Sequence, residues 1–266
     1  MTNDLLFHMV FTRNANALKG LLSVMLNISE ADILKIEVLN PMQYSEMIDT
    51  TLTVLDLRVH MNDNTYVHVE MQVRRFKYWT NRMVGYMGRQ ITDQIHDDFD
   101  YDRLEPVISI SIMDYTLFCD HKRFFKAYIP RDDEGYQFTD KIQFYVMDLT
   151  AIDDADDAQK ERGLTDWAKA FRAKSWEEVN QIDNSGVKEA AKTMRLIMSN
   201  PTEREMIRMR QDARNDWKTT INAERRDERI TTLASLVKDG YLTIDVAASR
   251  ANMTKQEFSI RAGLKL

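Results

Sequence analysis

Three residues with chemistry to offer, Asp56, Glu70 and Gln72, stand at even positions in the segment LTVLDLRVHMNDNTYVHVEMQ, residues 52–72. Two carboxylates and a carboxamide that converge on one surface form a hard-oxygen site, suited to magnesium, with manganese or calcium as alternatives. A divalent ion held there can activate water and neutralise the charge that develops when a phosphodiester is hydrolysed. On this reading Asp56 and Glu70 are the metal ligands. The backbone carbonyl of Met71 is the third, because a strand residue next to Glu70 directs its carbonyl sideways along the sheet. Gln72 would orient the water or a phosphate oxygen, since an amide brings no positive charge of its own.

The surrounding pattern says how these groups come together. From Thr65 to Val73 the chain alternates: Val67, Val69, Met71 and Val73 point one way, Tyr66, His68, Glu70 and Gln72 the other. From Val54 to His60 the same alternation puts Leu55, Leu57 and Val59 on the apolar face, with Asp56 and Arg58 opposite. Between the runs, His60 to Asn64 supplies turn residues that tolerate left-handed backbone. A loop of about three residues then makes a hairpin with Asp56 across from Glu70. On spacing alone, the commoner origin of such a pattern is a half-exposed hairpin whose polar face meets water. His60 and His68 read first as surface residues on that face and second as accessory site groups. A helix over residues 76–97 follows, in which Arg82, Tyr86 and Gln90, spaced by four, share one side. With Arg75 and Lys77 just after the strand, they are candidate phosphate contacts. His8, His96 and His121 offer no ligand spacing. There is no glycine-rich phosphate loop, serine nucleophile elbow or paired-cysteine motif.

The order of elements predicts an α/β layer arrangement with a mixed sheet over residues 1–150. Helices are expected over 3–11 and 15–26, a short strand over 33–39, then the hairpin and its helix, and strands over 107–113, 124–129 and 142–149. The acidic run Asp153, Asp154, Asp156 and Asp157 marks a boundary, read as a solvated loop. Beyond it a helical extension is predicted over 151–200, with helices at 165–173, 176–181 and 187–199. Residues 201–266 then form a long helix, opened by Pro201, and a terminal hairpin. Arg210, Arg214 and Lys218 fall on one face of the long helix, and Met206, Met209, Ala213, Trp217 and Ile221 on another. Acids and bases nearly balance there, so the plain reading is a solvated helix laced with ion pairs, and a DNA contact is the sharper one. In the hairpin, Thr243 and Thr254 each cap a short helix. That order is shared by helix-turn-helix DNA readers and by helical hairpins that pack on a neighbour.

Composition narrows the function classes. At 266 residues, 44% apolar and 29% charged, the chain can bury a core, which excludes disorder for most of its length. A net charge of −6 excludes polyanion binding through bulk charge, so nucleic-acid affinity has to come from local patches or bound ions. A single cysteine, Cys119, excludes a disulfide framework and a multi-thiolate metal site. The first residues lack the basic leader and apolar run of a secretory signal, and no stretch approaches the ~20 apolar residues of a membrane span. A cytoplasmic protein with no membrane partner is expected.

Three strings, TVLDLRVHMNDNTYVHVEMQV, FKYWTNRMVGYMGRQI and YDRLEPVISISIMDYTLF, resemble in that order the PD-(D/E)XK nuclease family transposases, the group of recombination-promoting nucleases. The opening TNDLLFHMVF and the closing LVKDGYLTIDVAASRANMTKQEF are similar to the same group. The likeness is dense between Thr51 and Phe118 and thin between Thr150 and Lys192. It implies a restriction-endonuclease-like core, a mixed central sheet flanked by helices, with an all-helical C-terminal region. It also implies metal-dependent DNA cleavage. Carried over by position, the family's Asp is Asp56, its Glu is Glu70 and its third motif residue is Gln72. The wider superfamily usually has lysine at that third position. With glutamine there, Arg82 is the candidate for the positive charge. An upstream acid in the first helix is often a further member of the site; Asp4 matches by position, with Glu46 as the competitor. The expected activity is that of a magnesium-dependent endodeoxyribonuclease linked to transposition or recombination, with DNA as partner and a homodimer for double-strand cutting. The alternatives are a catalytically inactive DNA-binding or assembly protein that keeps the fold, and a nuclease acting on RNA.

Overall fold

A computed structural model describes residues 3–39, 56–62, 64–73, 75–96 and 100–264. The chain divides into two units, one ending at Arg208 and the other starting at Met209. The strands are β1 (Ile36–Val38), β2 (Asp56–Met61), β3 (Thr65–Gln72), β4 (Val107–Met113), β5 (Phe125–Tyr128) and β6 (Ile142–Asp148). The helices of the first unit are α1 (Asp4–Arg13), α2 (Ala15–Leu26), α3 (Trp79–Thr92), α4 (Asp157–Glu161), α5 (Leu164–Arg172), α6 (Trp176–Asn180) and α7 (Ser185–Ser199). α8 (Pro201–Lys238) runs on into the second unit, which adds α9 (Ile244–Arg250) and α10 (Lys255–Ala262).

The strands form one mixed sheet in the order β1-β2-β3-β4-β6-β5. β2 and β3 are an antiparallel hairpin, while β3–β4 and β4–β6 are parallel pairs. A parallel pair needs a crossover, and α3 supplies the one between β3 and β4. The hairpin register pairs Met61 with Thr65, which leaves residues 62–64 between the strands and sets Asp56 opposite Glu70. Asn62 takes the left-handed backbone this loop needs, at φ 55°.

Both faces of the sheet are covered. Leu57, Val59, Val67, Val69, Ile108, Ile110 and Ile112 join one core with α1, α2, α5 and α7, centred on Phe7, Phe11, Trp167 and Phe171. The helices beyond residue 150 thus share the core of the sheet. On the other face α3 lays Trp79 and Met83 against Met113 and Val146. This second layer corrects the expectation of a polar hairpin face open to water: Glu70, His68 and Gln72 are all buried. The crossover that parallel pairing demands has nowhere else to lie.

Other differences from the expected elements have local causes. The strand predicted over 33–39 shortens to three residues. The Asn62 side chain accepts from the backbone of Leu34 and Lys35 at 2.8 and 3.2 Å, tying that stretch to the hairpin loop instead. The helix predicted over 76–97 starts only at Trp79, after a turn, and ends at Thr92. Beyond that end, Gln94 accepts from the Glu105 backbone at 2.9 Å and draws the chain away. The acidic run is ordered, with Asp156 capping α4 through a reciprocal pair of bonds with Gln159. Val54, Leu55 and Glu46 lie outside the described residues.

In the second unit the end of α8 packs Ile230, Leu233 and Ala234 onto Ala247 and Ala248 of α9 and Phe258 of α10. Thr243 and Thr254 cap α9 and α10 as the sequence predicts. Among the described residues no helix is long and apolar enough to cross a membrane.

Candidate active site

Strand geometry decides how close the two carboxylates stand. The Arg58 carbonyl accepts from Leu39, towards β1, and the Gln72 carbonyl accepts from Asp114, towards β4. Peptide groups alternate sides along a strand, so Asp56 and Glu70 turn theirs away from each other. They are therefore a non-hydrogen-bonded ladder pair, the kind with Cα atoms about 4.5 Å apart and side chains adjacent. By the same alternation the Met71 carbonyl points towards β2, opposite residue 55, which lies outside the described residues.

Glu70 is fully buried, and α3 answers its charge. Trp79 donates its indole N–H to Oε1, and Arg82 Nη2 lies 3.3 Å from Oε2. The same Arg82 nitrogen is 3.3 Å from Gln72 Oε1, so one guanidinium bridges both motif residues. Its plane is steadied by the rings of Phe76 and Tyr86, 4.9 and 5.9 Å from the centroids. The four-residue spacing of Arg82 and Tyr86 brings them together on the helix face turned to the sheet.

Asp56 is more open, with 28% of its side chain exposed. Its Oδ2 is 2.7 Å from Nε2 of His68, its diagonal neighbour across the ladder. Burial works to raise the Asp56 pKa. The His68 hydrogen bond and charge, with the Asp56 N–H and Arg58, outweigh burial and hold the carboxyl below its ordinary value. Just past β4, burial pushes the Tyr115 hydroxyl up to about 12, with the Phe76 backbone opposing and the Glu70 charge adding, so it stays neutral. Among the described residues, His68 Nδ1, Arg82 Nε and Ser111 Oγ are buried on this wall without a hydrogen-bond partner. Ser111 is the register partner of Glu70 on β4.

The structure therefore gathers Asp56, Glu70, Gln72 and Arg82 on one face, with the Met71 carbonyl at its β2 side. Asp4 opens α1, whose buried residues pack in the core on the opposite face of the sheet. Arg75 reaches Cys119 Sγ at 3.7 Å and Lys77 lies over the Tyr78 ring, so neither meets Glu70. His68 corrects the sequence reading: it is a buried partner of Asp56, whereas its type and spacing resemble a surface residue. Its parity with Asp56 and Glu70 is the available signal. Trp79 reads as an apolar helix position, and nothing in its spacing marks the indole as a donor to Glu70.

A family model described as PD-(D/E)XK nuclease family transposase matches residues 1–224 of the 266. The chain belongs to this family. Its mixed six-stranded sheet between helical layers is consistent with a PD-(D/E)XK nuclease-like fold, as the resemblance implied. No curated protein and no solved structure matches the chain. PD-(D/E)XK nucleases generally use divalent metal ions. The residues here fit such an ion. Two facing carboxylates, one backbone carbonyl and an unpartnered hydroxyl are all oxygen donors. A carboxylate offers about four acceptor positions, so the bonds from Trp79 and Arg82 leave Glu70 room for a cation. Among the described residues no three His, Cys, Asp or Glu side chains cluster as a full ligand set. The remaining positions would fall to water and phosphate oxygens, the mixture magnesium accepts.

Proposed function

We propose that the chain is a magnesium-dependent endodeoxyribonuclease acting on DNA in the cytoplasm, in the service of transposition or recombination. The observation that carries this reading is the Asp56–Glu70 ladder pair, with Arg82 bridging Glu70 and Gln72 beside it. Asp56, Glu70 and the Met71 carbonyl would hold the ion. When bound, the ion supplies Lewis-acid stabilisation of the phosphate and a more acidic water. His68 keeps Asp56 anionic and fixes its rotamer towards the site. Arg82 answers the charge that grows on the phosphate oxygens. Gln72 stands where a lysine commonly would and positions that guanidinium. In the reaction a water oxygen bonds to phosphorus, one P–O ester bond breaks, and the departing oxygen takes up a proton. Asp4 enters this proposal only by position, as a further acid. A homodimer gives one site for each strand of a duplex.

Supercoiled plasmid incubated with magnesium tests the reading. The wild-type chain should nick and linearise it. Asp56→Ala and Glu70→Gln should each slow cutting more than the 10–100-fold that loss of an outer partner costs, and His68→Ala should fall within that range. Equal cutting by wild type and Asp56→Ala would overturn the proposal, and preferential cutting of matched RNA would overturn its substrate.

A further inference from the structure

We propose that the second unit carries a docking surface for the phosphate backbone of duplex DNA, centred on Arg226, Arg229 and Arg261. All three lie beyond residue 224, where the family match ends. Two observations meet here. The first is shape. α9 and α10 are joined by a tight turn in which Asn252 takes left-handed backbone at φ 54°, while Ala247, Ala248 and Phe258 point inward. Short helix, left-handed turn and second helix, packed on a third, is the helix-turn-helix arrangement.

The second is charge. Thr219, Asn222, Arg225, Arg226 and Arg229 line one open groove along α8. Arg226 and Arg229 also line an adjoining cleft of about 420 Å³ with Asn252, Met253, Glu257 and Arg261. Residues 222, 226 and 229 share one helix face, and Glu224, Asp227 and Glu228 fall on the others. Arg225, Arg226 and Arg229 are exposed and have no carboxylate within salt-bridge distance among the described residues. Glu257, the acid of the cleft, accepts from the Thr254 N–H and hydroxyl at 2.9 and 2.7 Å, and its charge also bears on Arg261 one turn further along. Like charges three and four apart destabilise a helix, so this cluster does nothing for the fold. On a chain of net charge −6 it is a local positive face that fits an external polyanion. No aromatic ring lines the cleft for unpaired bases to stack on, which favours a duplex over a single strand.

Fluorescence anisotropy of a labelled duplex of about 20 base pairs, titrated with the full chain in chelator, tests this. Removing one phosphate-binding arginine should lower the slope of log affinity against log salt by about 0.9. Arg226→Gln/Arg229→Gln/Arg261→Gln should therefore weaken binding at least tenfold near 0.1 M salt and cut the slope by roughly 3. Lys160→Gln/Lys188→Gln/Lys192→Gln removes the same charge from exposed side chains of the first unit and should change neither. Asn222→Glu, a single exposed change that removes no arginine, should weaken binding at least threefold. If the arginine variant and Asn222→Glu bind like the wild type, or no more weakly than the lysine control, the surface is not a DNA contact. Tighter binding of single-stranded DNA or RNA of the same sequence would overturn the duplex assignment. Because no cutting is read in chelator, the result is independent of the fate of the nuclease proposal.

Discussion

A carboxylate as deeply buried as Glu70 persists in a fold only when its charge is answered at short range. Trp79 and Arg82 do this here, and the second also reaches Gln72. Arg82→Ala should therefore destabilise the metal-free protein by about 3 kcal/mol, read by urea unfolding. Adding Glu70→Gln to it should recover part of that loss, because the uncompensated charge is then gone. Excess Mn²⁺ should stabilise Arg82→Ala more than the wild type, since the ion binds the folded chain and takes over the missing charge. Asp114 gives a pH signature of opposite origin. Burial raises its pKa, with Arg172 opposing and the nearby Asp148 adding to the rise. A folded pKa above the unfolded one means that the stabilising contribution is present below the unfolded value and lost as pH rises through the folded one. Asp114→Asn should thus raise the melting temperature at neutral pH and leave it unchanged near pH 3, where the carboxyl is largely protonated in both states. A variant that melts lower than wild type at neutral pH would contradict this.

At the scale of elements, the hairpin was legible because strand parity and a short loop leave little choice of register, and Asp56 does face Glu70. The bounds of β4 were legible too, since Pro106 and the apolar run that follows fix them. What covers the polar face was not. That depends on the crossover α3, whose placement follows from the parallel pairing of β3 with β4 and from no residue inside the hairpin. For the same reason His68 reads as a surface residue and Trp79 as plain core. A close helix crossing was equally hidden. A Cβ on Gly186 would sit 2.8 Å from Trp167 Cζ2 and 3.2 Å from the Gly20 Cα, and one on Gly20 would sit 2.9 Å from the Gly186 Cα. Gly20→Ala meets backbone, which cannot rotate aside, so it should cost about 1–3 kcal/mol of overpacking in urea unfolding. A cost near zero would show that α2 and α7 separate freely.

For the whole molecule, the apolar pattern announced an α/β layer followed by helices. It did not show that helices beyond residue 150 close the same core as the sheet, through Trp167, Phe171 and Val187. Such long-range packing leaves no periodic mark. The proposed homodimer belongs to this scale as well. Light scattering at the concentration used for cleavage should give twice the 31.2 kDa of one chain. A chain that stays at 31.2 kDa on DNA and still linearises plasmid in one binding event would contradict it.

The proposed nuclease requires Asp56 and Glu70 to act together on one divalent cation. Calorimetric titration of Mn²⁺ into wild type, Asp56→Asn, Glu70→Gln and the double variant measures that coupling directly. Each single change should abolish the binding step, and the double should lose no more than either alone. Retention of wild-type affinity by either single variant, or losses that simply add, would contradict a shared ion.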